Sequence, residues 1–176
     1  MKGMTGWGEY IAAWACFLGA HMIPALPGPR GWLVARLGRR GYLAAFSLLS
    51  IGLLFWLIAA AGRAPAVPLW DQPGWSRWLV NIAMPLAILV AALAVGLSGL
   101  IAGFALWAGG HLIANGDLAH ALFFGGMLVF ALSGLLRSGL PGAFRVTWQR
   151  LVLAALIWAA LLHLHPLVIG VSPLPA

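Results

Sequence analysis

The chain has 176 residues, 63% of them hydrophobic and only 7% charged, and ten Lys and Arg against three acids give it a net charge of +7. A soluble domain carries roughly 25% charged residues, so the composition excludes that class and points to a lipid bilayer. The positive charge does not indicate nucleic acid, because the arginines form short clusters between long apolar runs without a basic aromatic surface; lipid head groups are the expected partner.

Six apolar segments lie roughly at 8–26, 42–62, 79–97, 98–114, 118–137 and 150–170, each near the ~20 residues that a ~30 Å hydrocarbon core requires. Every backbone group in lipid must find a partner, which helices achieve within themselves. The expected fold is therefore all-α, a polytopic integral membrane helix bundle of about six transmembrane helices. No repeat or linker divides it, so a single transmembrane domain over 1–176 is expected.

The first segment follows Lys2 and Glu9 and lacks an A-x-A cleavage site, which marks a retained span and not a signal peptide. It holds the only cysteine, Cys16, so an intrachain disulfide and any CxxC site are excluded. It ends in His21, just ahead of Pro24 and Pro27, where an imidazole ordinarily reaches for the interface. GPRGWLVARLGRR follows (28–40), with arginines alternating with Trp32, Leu33, Val34 and Leu37. That pattern suits a helix lying on the membrane surface. After the second span, the connection 63–78 balances Arg63 and Arg77 against Asp71. Its Trp70, Trp75 and Trp78 suit a membrane–water interface.

A single helix from 79 to 114 would be too long for one crossing, and the turn is expected at Leu97, Ser98 and Gly99. The fourth segment carries a GxxxG pair, Gly99 and Gly103, that allows close helix approach. It ends in HLIANGDLAH (111–120). Asn115 and Gly116 suit a helix C-terminus, and Asp117 suits the N-cap of the next helix. His120, third in that helix, either closes the cap or faces water. His111 lies one turn after Trp107 and two turns after Phe104. A neutral imidazole there either hydrogen-bonds a neighbouring helix or ligates a metal or haem iron, and the residues alone favour the interhelical bond. In the last segment His163 and His165 diverge by about 200° on a helix and cannot share a ligand. Helix-end polarity ahead of Pro166 is their ordinary role.

Arginine sets the expected orientation. The connections 27–41 (Arg30, Arg36, Arg39, Arg40) and 137–150 (Arg137, Arg145, Arg150) are cytoplasmic by the positive-inside rule, leaving both termini outside. HLIANGDLAH is then an outward-facing hairpin tip. There is no HExxH, nucleophile elbow, Walker loop or close carboxylate pair. With three acids in the chain, any chemistry rests with histidine through a cofactor.

ALWAGGHLIANGDLAHALFFGGMLVFAL resembles the signature of the NnrU family, close to W-A-x-x-H-L-x-A-N-G-D-L-A-x-x-L-x-F-G-G. The histidine ending the first span, the following WLVARLGRRGYLAAFSLLSIGLL and the loop VPLWDQPGW also resemble that family. The resemblance covers roughly residues 10 to 137 and leaves an additional C-terminal span at 150–170. It implies a bacterial inner (cytoplasmic) membrane protein associated with nitric oxide reduction in denitrification. NnrU proteins are also similar to 15-cis-zeta-carotene isomerase, an integral membrane haem protein whose haem-ligand histidines align with His21 and His111. The resemblance thus implies haem b, with those two residues on the iron. The isomerase has W-C-x-x-H where this chain has Trp107-Ala108-Gly109-Gly110-His111, and R-H-P where it has Leu97, Ser98 and Gly99. By depth, His21 lies about 20 Å along its helix and His111 about 5 Å from the outer end of its own, at ~1.5 Å per residue. Depth alone pairs His111 with His120 or His163; the resemblance selects His21. Two classes follow: a haem-dependent redox or isomerase-like protein acting on a lipophilic small molecule, and a non-catalytic accessory protein for nitric oxide reductase assembly or maturation, with reductase components as partners.

Overall fold

A computed structural model describes residues 3–174. Its helices are α1 (Gly3–Met22), α2 (Pro27–Arg63), α3 (Gly74–Leu93), α4 (Leu97–Ala114), α5 (Leu118–Ser138) and α6 (Trp148–Val168), with a 3-10 turn at Ile23–Ala25 between the first two. The chain is all-helical, as its composition requires. Five helices, α2 to α6, are long and apolar enough to cross a membrane. These make it a multi-pass membrane protein. α1, which carries Glu9, His21 and several glycines, is not among the five.

The chain forms two compact units, Met1–Ala66 and Val67–Ala176. In the first, α1 packs on α2. Tyr10, Ala13 and Phe17 of α1 are buried, as are Leu57, Ala60 and Ala61 of α2. Their i, i+3 and i+4 spacing puts each set on one helix face. Glu9 ties the far end together: its carboxylate accepts from Arg63 Nε at 3.0 Å, from Arg63 Nη2 at 2.5 Å and from Trp56 Nε1 at 3.1 Å. Gly6 sits against the Arg63 carbonyl, where a Cβ would collide with backbone. α2 is broken at Gly38, whose φ of 68° is a conformation that L side chains rarely adopt. The arginine-bearing stretch 27–37 is thereby set off from the apolar span beyond it.

In the second unit the helices form a row. α3 packs against α4 and α6, and α4 packs against α5. Lipid offers helices no hydrophobic drive to associate, so close van der Waals packing holds such a row. Gly99, Gly103 and Gly110 present one stripe of α4 to α3. A Cβ on Gly103 would stand 2.6 Å from the Ala87 carbonyl oxygen, and one on Gly110 would stand 3.3 Å from Ala83 Cβ. On the opposite interface α5 packs on α4 and buries Ala119, Phe123, Met127 and Ala131, every fourth residue.

The turn between α3 and α4 lies at Ala94–Gly96, not at Leu97–Gly99. Ala94 is extended and Gly96 adopts φ 94°, while Leu97, Ser98 and Gly99 are already helical. Both triplets contain a glycine; tertiary contacts choose between them. Gly99 is needed in the helix, against Ala94 and the Val90 carbonyl. The turn is held from outside by Val95 N–H donating to Ala143 O at 2.9 Å and Arg145 N–H donating to Leu93 O at 2.8 Å. Arg150 Nη1 donates to the carbonyls of Ala92, Leu93 and Ala94 at 3.0, 3.2 and 3.4 Å. A guanidinium there satisfies carbonyls that the helix end leaves unpaired and offsets its negative dipole end.

Candidate functional site

HLIANGDLAH forms the tip between α4 and α5, built as its residue types require. Asn115 is the C-cap of α4, and its side-chain amide donates to His111 O at 2.8 Å. Asp117 is the N-cap of α5 and accepts from His120 N–H at 3.1 Å. Its other oxygen accepts from His120 Nδ1–H at 2.6 Å. Of the two roles open to His120, closing the cap is the one it takes.

Residues 67–70 form a strap across this tip. Leu69 and Trp70 N–H both donate to Gly116 O, at 2.7 and 3.1 Å, and Leu118 N–H donates to Val67 O at 2.8 Å. Trp70 Nε1 also reaches Ile113 O at 3.4 Å. The Trp70 carbonyl presses so closely on Gly116 that a Cβ there would collide with it. VPLW and NGD, far apart in sequence, are therefore one hydrogen-bonded structure. Trp75 and Trp78, expected in the loop, stand in the first turns of α3.

Beneath this tip lies an aromatic cluster around His111. The rings of Phe104 and Trp107 stack at 4.9 Å, Trp107 meets His111 at 5.5 Å, and His111 stacks on Phe124 of α5 at 5.0 Å and 26°. Phe124 also contacts Trp107 and, at 6.3 Å, His120. Phe104, Trp107 and His111 meet because residues three and four apart share a helix face. That face looks to α5, whereas the glycine stripe looks to α3, so His111 does not sit in the glycine groove. Its Nδ1–H donates to the Trp107 carbonyl of its own helix at 2.9 Å, instead of crossing to a neighbour as expected. A carbonyl only accepts, so Nδ1 carries the proton and, in the neutral ring, Nε2 carries the lone pair.

The same local arrangement holds His21 in the first unit. Its Nδ1–H donates to Phe17 O at 2.7 Å, and its ring lies 4.2 Å from Phe17 and 5.4 Å from Phe46. His21 is the penultimate residue of α1, about 27 Å along it at ~1.5 Å per residue, because α1 begins at Gly3. His163 is exposed, with Nδ1 on Ala159 O at 2.7 Å. His165 donates to Val171 O at 2.7 Å. The structure thus brings His111 and His120 onto one ring, that of Phe124, while His163 and His165 bond backbone carbonyls at the end of α6 and beyond it. No group of three or more His, Cys, Asp or Glu side chains able to hold a metal ion occurs among the described residues.

Sequence reasoning missed Phe124, the strap 67–70, Asn81 and Arg150. Asn81 donates to Pro173 O at 2.7 Å, tying the segment after α6 to α3. Only Phe124 carried a signal: it stands four residues after His120, on the same helical face.

A polytopic helical membrane protein, with a strapped hairpin tip over a histidine set among aromatic rings, is the class these features define. The sequence model described as NnrU protein matches residues 9–173, and the chain belongs to the NnrU family. The match runs beyond residue 137 and takes in α6, so the last span is part of the family's extent and not an addition to it. No curated protein matches the chain, and no solved structure does.

Proposed function

We propose that this NnrU-family chain is a bacterial inner-membrane protein that binds haem b, whose iron His111 and, as the family resemblance implies, His21 would hold. In this reading it serves redox or isomerase-like chemistry on a lipophilic substrate, linked to nitric oxide and denitrification metabolism. The observation supporting it is the state of His111, whose Nδ1–H is committed to the Trp107 carbonyl, which leaves Nε2 as the electron-pair donor. A carbonyl on the far nitrogen fixes the tautomer and raises the basicity of a ligating imidazole. His21 is prepared in the same way by Phe17. A porphyrin brings four nitrogens of its own, so iron needs only one or two protein ligands and no cluster of side chains. Haem would supply a redox-active iron. The chain's own part is to orient the imidazole and, through Trp107 and Phe124, to keep water from it.

The second reading is a non-catalytic accessory protein for nitric oxide reductase assembly or maturation. What favours it is that Asn115, Gly116, Asp117 and His120 are all engaged in building the tip. Absorption spectra of the detergent-purified protein, oxidised and reduced after haem-replete expression, separate the two. A Soret band that His111→Ala abolishes or shifts and Asp117→Asn leaves intact supports haem. The same loss in His21→Ala assigns the second ligand, whereas loss in His163→Ala, His165→Ala or His120→Ala moves it within the second unit. A wild-type protein without a Soret band gives the accessory reading the lead.

A further inference from the structure

From its exposed arginines and Trp32, we infer that the segment around Gly38 is a binding surface for the head groups of anionic phospholipids. Arg30, Arg36, Arg39 and Arg40 are all exposed, and no acidic residue lies between Glu9 and Asp71 to neutralise them. Leu33 and Val34 are half-buried, while Trp32 is 60% exposed and carries the Arg36 guanidinium 5.4 Å from its ring centre. An exposed indole beside an arginine suits the head-group level of a bilayer, where the ring is apolar in body and polar at its tip. The backbone break at Gly38 places Arg36 on one helical stretch and Arg39 and Arg40 at the start of the next.

The residues beyond Arg40 fix the occupant. Directly after it the helix exposes Leu43, Leu48, Leu49, Ile51 and Phe55, an apolar surface of the kind that faces lipid tails. A basic collar at the start of such a surface stands beside lipid phosphates. Basic side chains near an anionic membrane surface contribute about 1 kcal/mol each, or roughly fivefold in association. In a zwitterionic lipid the phosphate charge is balanced by the head group's own ammonium, so the surface selects phosphatidylglycerol over phosphatidylcholine.

The test uses the full chain reconstituted in bilayers with chain-labelled phosphatidylglycerol or phosphatidylcholine, comparing their association by spin-label spectroscopy. The wild-type protein is expected to prefer phosphatidylglycerol severalfold. Arg30→Gln, Arg36→Gln, Arg39→Gln and Arg40→Gln combined should lower that preference severalfold, and the matching lysine substitutions should keep it. Absence of any preference in the wild type, or a preference unchanged in the glutamine variant, overturns the inference. Should the glutamine variant fail to fold, the wild-type and lysine proteins decide by salt: a preference that does not fall with rising ionic strength refutes the surface.

Discussion

Gly103 offers the most direct test of how α3 and α4 are held. A Cβ there would meet the Ala87 carbonyl oxygen at 2.6 Å and Ala91 Cβ at 3.0 Å, where ordinary contact begins at 3.4 Å. Backbone cannot swing aside as a side chain can, so the helices must part by about 0.8 Å for alanine and further for leucine. Overpacking of this kind costs about 1–3 kcal/mol, set against a gain of up to ~1 kcal/mol in helix propensity when glycine becomes alanine. Gly109 is the internal control. Its Cβ would find only Leu128 Cδ1, at 4.0 Å, so Gly109→Ala keeps the propensity gain without the collision. Leucine takes the upper end of the overpacking range, about 2 kcal/mol net, so at roughly 2–4 °C per kcal/mol for a chain of this size Gly103→Leu should melt about 4–8 °C below the wild type in detergent. Gly103→Ala should melt below Gly109→Ala, which should match or exceed the wild type. The assay is thermal unfolding followed by circular dichroism or by loss of the monodisperse peak. An unchanged melting temperature for Gly103→Leu, or equal values for the two alanine variants, would refute the packing argument.

Asp117→Ala removes the N-cap of α5 and the partner of His120, and should lower stability by about 1 kcal/mol, whereas Asp117→Asn, which still caps, should cost less by the same thermal assay. Arg150→Met takes the guanidinium from the Ala92 and Ala94 carbonyls, Leu93 O keeping Arg145 N–H, and should destabilise by about 1–3 kcal/mol, with Arg150→Lys recovering part of the loss; equal melting of wild type and methionine variant would deny the cap any role. A reporter fused to the C-terminus should report external exposure, since arginine is concentrated in the 27–41 and 137–150 connections; a cytoplasmic reporter signal would reverse the orientation.

The tip was legible in the sequence because its bonds are local. Asp117 reaches three residues forward and Asn115 four residues back, so side-chain chemistry alone predicts both caps. The same holds for the close approach at Gly99 and Gly103, although the sequence did not say which neighbour they meet. The turn at Ala94–Gly96 was not legible, because Ala143, Arg145 and Arg150, which hold it, come from a much later part of the chain. Likewise nothing near Trp70 in the chain indicates that its backbone closes on Gly116. The ring partner of His111, Phe124, comes from another helix. Its carbonyl partner, Trp107, is one turn away, but an imidazole at such a position has two ordinary outcomes, and only packing selects one.

The strap also changes what the NGD motif implies. A run of polar residues in an apolar chain invites a chemical reading for each of them, since such residues in a membrane carry function by default. Here Asn115 binds a helix carbonyl, Gly116 lies under the Trp70 carbonyl, and Asp117 closes a cap through His120. Each is used by the backbone, and together with VPLW they fix where α4 ends relative to α5. That endpoint in turn sets the height of His111 against Phe124. The residues of the motif are thus accounted for by the geometry of the tip, and what lies one turn below them is the His111 imidazole on the Phe124 ring. A substitution at Gly116 should therefore disturb the surroundings of His111 without touching the ring. Gly116→Ala, which forces the Trp70 carbonyl away, should weaken the strap and expose the cluster, measurable as faster amide exchange at Leu69, Trp70 and Leu118. Exchange at those three amides equal to that of the wild type would mean that the strap does not hold the tip.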